Sequence, residues 1–206
     1  MRIIAGAFRS RPLQAPAGLA TRPTSDRLRE TVFNVLAPRV EGARFLDLYA
    51  GSGAVGLEAL SRGAEHVVFV ERAPAALKVL RENLDKLGLK SGFGVKASAV
   101  REYLRRAASG ARVFDLVFLD PPYDAEEEYE SALSILGGPG LLPRSQNRDL
   151  ERPPVQLLAE GAVVIAEHRR KVRLEDAYGA LRRARLLEQG DAALSFYTAG
   201  DSASRR

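Results

Sequence analysis

Cysteine is absent from the 206 residues, and histidine occurs only twice. Without a thiol the chain has neither a disulfide framework nor a thiolate metal site, which suits a cytoplasmic protein. His66 and His168 stand far apart and lack the spacing of paired ligands, so both are read as structural and no metal is expected. Long apolar runs are missing too. Nowhere do ~18 consecutive apolar residues occur, which excludes a membrane-spanning helix. The first residues, MRIIAGAFRSRP, hold a short apolar patch broken by arginines and do not read as a signal peptide. The chain carries no internal repeat and no low-complexity tract.

What is present is an ordinary globular composition, 46% hydrophobic and 28% charged, in a length that suits one domain with a small appendage. The net charge of +5 asks for an anionic partner. Its location is informative. Residues 1–44 contain Arg2, Arg9, Arg11, Arg22, Arg27, Arg29, Arg39 and Arg44 against Asp26, Glu30 and Glu41, so they account for the whole excess and the remainder is formally balanced. Arginine in preference to lysine favours phosphate, because the guanidinium fork pairs bidentately with phosphate oxygens.

Residues 1–23 are rich in Gly and Pro without sustained periodicity and read as an extended arm with room for one short hairpin. A helix is expected over 26–37, capped by Thr24 or Ser25, with Asp26 at its positive end, Leu28, Val32, Val35 and Leu36 on one face, and Pro38 as its limit. From residue 44, short apolar runs alternate with amphipathic segments, the pattern of a parallel sheet covered by helices. The strands are RFLDLY, HVVFVE, GFGVKA, FDLVFLD and AVVIAEH, and helices fall at 54–62, 75–87, 99–108 and 126–136, with Gly63 and Gly88 at helix C-caps. Residues 180–189 and 192–198 form a terminal antiparallel hairpin around Gly190 and Asp191. The segment from Gly137 to Pro154 reads as a surface insertion, or as a substrate-side flap using Arg144, Arg148 and Arg152.

Two loops carry the chemistry. LDLYAGSGAVGLEAL runs from strand to helix through Gly51, Gly53 and Gly56, whose missing side chains let backbone amides approach a ligand. Glu71 closes the next strand twenty positions after Gly51, where a carboxylate can accept both hydroxyls of a ribose. This constellation serves a nicotinamide dinucleotide and S-adenosylmethionine equally. Asp47, inside the first strand and placed to orient the loop or a ligand ammonium, tips the reading toward the methyl donor. So does the second loop, Asp120-Pro121-Pro122-Tyr123, at the tip of a buried strand. An exocyclic base amine is a poor nucleophile because its lone pair is delocalised into the ring. The Asp120 carboxylate can accept one N–H and the Pro121 carbonyl the other, aiming the lone pair at the methyl group, while Tyr123 offers a ring for an extruded base.

Together these residues resemble the class I S-adenosylmethionine-dependent methyltransferases with an N/D-P-P-Y/F loop. The N-terminal MRIIAG, Arg9, Arg11 and RPTSDRLRETVFNVL, followed by LDLYAGSGAVGLEALSRGA, FVER, LDPPY and GDAALSFY, are similar to the RsmD family of 16S ribosomal RNA guanine-N2 methyltransferases. The resemblance implies a Rossmann-like α/β fold with a seven-stranded, mostly parallel sheet, an antiparallel last strand and helices on both faces. It further implies a monomer in the bacterial cytoplasm acting on 16S rRNA or the assembling small subunit. Residues 1–40 would contact RNA and cover the cofactor, 41–200 would be the methyltransferase domain, and 201–206 a tail. By position, Asp47, Gly51 and Gly53 line the methionine side and Glu71 the ribose, Ser98 stands at the adenine with Ala99 beside it, Arg22, Pro23 and Thr24 fold over the cofactor, and Tyr49, Arg72 and Asp120 are further expected cofactor contacts. Ser98 stands where the family usually has an acid. Arg9, Arg11, Arg22 and Arg27 are the expected RNA contacts. The loop itself leaves adenine-N6 methylation of DNA or RNA open beside guanine-N2, and a noncatalytic RNA-binding assembly factor is the reading from another class.

Overall fold

A computed structural model describes residues 1–15, 26–107, 113–122, 125–138 and 157–199. In chain order the elements are α1 (Asp26–Val40), β1 (Arg44–Leu48), α2 (Ala54–Ser61), β2 (His66–Glu71), α3 (Pro74–Lys86), β3 (Phe93–Ala97), α4 (Val100–Ala107), β4 (Phe114–Leu119), α5 (Glu126–Leu136), β5 (Leu158–Arg169), β6 (Ala177–Tyr178), β7 (Leu181–Gln189) and β8 (Ala192–Ala199). They build one mixed sheet of order β3-β2-β1-β4-β5-β8-β7-β6, in which β1 to β5 run parallel and β8 runs antiparallel to both of its neighbours. The expected seven strands are present, and the two-residue β6 adds an eighth at the edge.

The near-continuous apolar strands follow from burial on both faces. Side chains alternate across the pleat, so Phe45, Val67, Phe69, Leu116, Phe118 and Ile165 join one core with α1, α2 and α3. Leu46, Leu48, Val68, Val70, Val117 and Leu119 join a second core with α4 and α5. Helices therefore cover both faces. Gly63 and Gly88 adopt positive φ, 95° and 74°, after α2 and α3, as the cap reading required.

Two boundaries differ from the sequence expectation. Helix α1 runs through Pro38 to Val40 instead of ending before the proline. The ring removes one intrahelical hydrogen bond, and Val40, 2% exposed, anchors the final turn in the core. Strand β5 begins at Leu158, four residues before the apolar run, because an irregularity opposite Phe114 and Leu116 lets Leu158 pair ahead of a turn at Gly161, whose φ is 70°.

The N-terminal arm folds back as a narrow hairpin. Arg2 bridges Pro12, the Ile3 amide donates to the Arg11 carbonyl, and the Ser10 amide donates to the Ile3 carbonyl. Ile3 and Leu13 are buried, so the arm is part of the packed body. Thr24 and Ser25, expected to cap α1, lie outside the described residues, as does the insertion from 139 onward and the tail.

Candidate active site

The register assembles the site. Leu48 on β1 is level with Val70 on β2 and Leu119 on β4, and Glu71 is level with Ala97 on β3. The residues just past these positions, Tyr49, Glu71, Ser98 and Asp120, therefore meet along the C-terminal edge of the sheet. The chain moves leftward from β1 to β3 and then crosses to β4, so the crevice between β1 and β4 is the topological switch point.

The glycine loop occupies this crevice with its turn stabilised from within. Tyr49 has φ 63°, an uncommon left-handed conformation for a bulky residue, and Gly51 and Gly53 follow at 56° and 82°. At Gly53 an added Cβ would stand 2.3 Å from Leu80 Cδ1, and at Gly56 2.3 Å from Phe69 Cε1, so both positions exclude a side chain by packing. Gly51 is different. An added Cβ there would meet only the Tyr49 carbonyl oxygen at 3.9 Å, so its open side is free for a ligand. The Tyr49 hydroxyl donates to Glu128 Oε2 at 2.9 Å, tying the loop to α5. Burial, reinforced by the Glu128 charge, raises the tyrosine pKa and keeps the phenol neutral.

Three carboxylates surround the turn. Glu71 Oε2 accepts the Gly51 amide at 2.9 Å, and Oε1 accepts the Arg72 and Ala73 amides at 2.8 and 2.7 Å. Oε2 keeps acceptor capacity for a hydroxyl. Asp47 is buried and accepts the Gly56 amide at 2.9 Å, which fastens the first turn of α2 to β1. Desolvation lifts the Asp47 pKa to about 7, opposed by the Gly56 amide and assisted by the Glu71 charge. Asp120, half-buried, supplies the third.

Because the folded Asp47 pKa lies above its unfolded value of 3.8, the group favours the folded state at low pH, and this contribution is lost as pH rises through about 7. An Asp47→Asn variant mimics the protonated form. It is expected to be more stable than wild type at pH 8 by on the order of a few kcal/mol, with the advantage vanishing toward pH 4. Urea denaturation of the pair at both pH values checks this. Equal stabilities at pH 8 would contradict the assignment.

Of the other expected site residues, Ser98 is half-buried and its amide donates to the Glu71 carbonyl at 3.1 Å, which keeps it and the half-buried Ala99 beside the loop. Arg72 is exposed at the same edge. Pro121 is buried, and Pro122 is exposed with its carbonyl accepting the Ala125 amide at 3.0 Å. Arg22, Thr24 and Tyr123 lie outside the described residues. The exposed Arg9 and Arg11 are not brought to the crevice: the Ala7 and Phe8 amides bind Ser61, the last residue of α2, so the hairpin turn stands at the far end of that helix. Arg27 is exposed in the first turn of α1.

The structure adds supports that the motifs did not reveal. Asn83 is fully buried, donates to the Ser52 carbonyl at 3.0 Å, and exchanges hydrogen bonds with the backbone of Gln14, joining the glycine loop to the arm. Glu58, also fully buried, accepts the Ile4 and Ala5 amides at 2.8 and 3.0 Å and pairs with Arg62 at 2.7 Å and the buried Arg29 at 3.7 Å. The sequence signal for Glu58 was a lone carboxylate within the apolar AVGLEAL. His168 bonds Ser195 Oγ at 2.9 Å inside the sheet, and burial lowers its pKa, a structural arrangement. Among the described residues no group of three or more His, Asp or Glu could hold a metal ion, and no helix is long and apolar enough to cross a membrane.

Comparison with known proteins agrees with this geometry. A family model described as Conserved hypothetical protein 95 matches residues 1–198. The Bacillus subtilis protein YlbH, provisionally named an rRNA methyltransferase, is 36% identical over 197 residues, covering 96% of this chain and 98% of that protein. Ribosomal RNA small subunit methyltransferase D of Escherichia coli is 41% identical over 123 residues, 60% of each chain. The solved structure of Escherichia coli YhhF, provisionally named a methyltransferase, superposes with a TM-score of 0.79 at 31% identity and covers 97% of both chains.

Proposed function

Because the chain belongs to the Conserved hypothetical protein 95 family, the RsmD family of methyltransferases, we propose that it transfers a methyl group from S-adenosylmethionine to the exocyclic N2 amine of a guanine in 16S rRNA. The observation that supports this most is the common edge of β1, β2 and β4, which sets the glycine loop, Glu71 and Asp120 around one crevice.

The residues fit the methyl donor. Its charges and hydroxyls complement Asp47, Glu71 and the open side of Gly51. S-adenosylmethionine supplies a methyl group already activated on a positive sulfur, so the protein's contribution is alignment. Asp47, Tyr49, Gly51 and Gly53 would hold the amino-acid end, Glu71 and Arg72 the ribose, and Ser98 and Ala99 the adenine. Arg22 and Thr24 would cover the cofactor. At the reacting centre the Asp120 carboxylate accepts one amine N–H and the Pro121 carbonyl the other, which turns the nitrogen lone pair toward the methyl group. Pro121 and Pro122 hold φ near −65° and fix this acceptor pair. Tyr123 stacks on the extruded base, a contact worth roughly 1–3 kcal/mol. Residues 1–40 contact RNA through Arg9, Arg11, Arg22 and Arg27 and cover the cofactor, 41–200 form the catalytic domain, and the protein acts as a monomer in the bacterial cytoplasm on 16S rRNA or the assembling subunit.

Mapping the modifications of 16S rRNA from a strain lacking this gene tests the reading. One N2-methylguanosine is expected to vanish and to return on complementation. An unchanged map would refute the assignment.

A further inference from the structure

Balanced charge over residues 45–206 conceals a local concentration. Arg169, Arg170, Lys171 and Arg173 fall within five positions at the end of β5. Because Ala166 on β5 is level with Leu119 on the adjacent β4, and the two strands run parallel, this cluster leaves the sheet at the same edge as Asp120, one strand away. Strand spacing of about 4.8 Å and a rise of about 3.3 Å per residue place the backbone of Arg169 roughly 8–9 Å from that of Asp120. Arg170, Lys171 and Arg173 are exposed.

The same edge connects to α1. Arg170 pairs with Glu188 at 3.0 Å, its amide binds the Asp191 carbonyl at 2.8 Å, and Thr31 binds Gln189 at 3.0 Å. Arg27 and Thr31 line a shallow groove with Glu188 and Gln189. Arg27 and Arg170 thus lie along one rim, with Lys171 and Arg173 following Arg170 in the turn. The first turn of α5, which carries Glu126, Glu127 and Glu128, lies next to the end of β5: the Tyr129 hydroxyl donates to the Glu167 carbonyl at 2.8 Å, and Val172 packs in the same core as Tyr129. The turn of the arm, with Arg9 and Arg11, docks at the far end of α2, which is about 12 Å long, while Arg2 at its base lies beside the first turn of α1 through the bond from Arg29 to the Arg2 carbonyl.

We propose that the turn after β5, through Lys171 and Arg173 and continuous with Arg170 and Arg27, is a phosphate-binding rim that guides the RNA backbone across the β5 and β8 side of the crevice. This rests on the rRNA reading above. The rim holds backbone on either side of the extruded base and carries no base specificity.

The test compares wild type, Lys171→Ala/Arg173→Ala, and a control, Arg44→Ala/Lys90→Ala, which removes the same charge at the opposite edge of the sheet. Binding to full-length 16S rRNA transcript is measured from 50 to 300 mM salt, with S-adenosylmethionine affinity and steady-state methylation. The rim variant is expected to bind roughly tenfold more weakly near 100 mM salt and to lose about 1.5 from the slope of log K against log salt. Its KM for RNA should rise while kcat and cofactor affinity stay at wild-type values, and the control should leave the slope unchanged. A rim variant with the wild-type slope, or an equal loss in the control, would overturn the rim while leaving the rRNA reading standing. A wild-type protein that neither binds nor methylates 16S rRNA would overturn both.

Discussion

Replacing Asp120 with alanine is expected to leave S-adenosylmethionine affinity within about twofold of wild type and to lower turnover by roughly 10²–10³-fold, the usual effect of deleting one oriented polar group at a reacting centre. The position explains the separation. Asp120 stands past the end of β4, across the switch point from the glycine loop, whose turn is held by Asp47, Glu71 and Asn83. Cofactor contacts therefore survive the change, while the amine loses the acceptor that aims its lone pair. Asp120→Asn keeps one acceptor oxygen and should retain more activity than alanine. Isothermal titration with S-adenosylmethionine and single-turnover methylation give the two readouts. Alanine turnover within threefold of wild type would remove Asp120 from the mechanism.

The second large effect is on stability. Glu58→Ala strips the buried Arg29 of its buried carboxylate partner, in a side chain whose Nε and Nη1 already have no hydrogen-bond partner among the described residues, and frees the Ile4 and Ala5 amides. Arg29 keeps its 2.9 Å pair with Asp26, so the cost comes mainly from the two freed amides, about 1–3 kcal/mol each, which for a domain of this size is on the order of 10 °C in Tm. Replacing both partners, as Arg29→Met/Glu58→Met, removes the buried charge and fills its space with apolar atoms, and should be less destabilising than Glu58→Ala alone, although the arm amides stay unpaired. Equal losses would mean that the pair is not what Glu58 contributes. Glu58 lies one turn into the helix that begins at the glycine loop, so the variant should also weaken cofactor binding.

These two residues mark the boundary of what sequence reading reaches. Asp120 was legible because DPPY follows a run of buried apolar residues, and the site lies where such a strand ends. The glycine loop and Glu71 were legible through their spacing, which reflects one βαβ unit and needs no long-range contact. Glu58 and Asn83 were not assigned, since a carboxylate or amide inside a helix reads as a solvated position until the arm that buries it is placed. The contacts of Ile4 with Glu58 and of Gln14 with Asn83 span 54 and 69 residues, beyond any local pattern. Pro38 misled the helix boundary because the burial of Val40 holds the last turn in place despite the hydrogen bond that the proline removes. The RRKVR rim was hidden by counting charge over a long window, in which four closely spaced cations average out against acids spread along the chain.

The reaction proposed for the crevice is methyl transfer to the N2 amine of guanine in 16S rRNA. Its most direct test is to react the purified protein with methyl-labelled S-adenosylmethionine and small subunits from cells lacking it, digest the 16S rRNA, and identify the labelled nucleoside by mass spectrometry. N2-methylguanosine as the sole labelled product is the predicted result. Label in N6-methyladenosine, or none in the RNA, would contradict it.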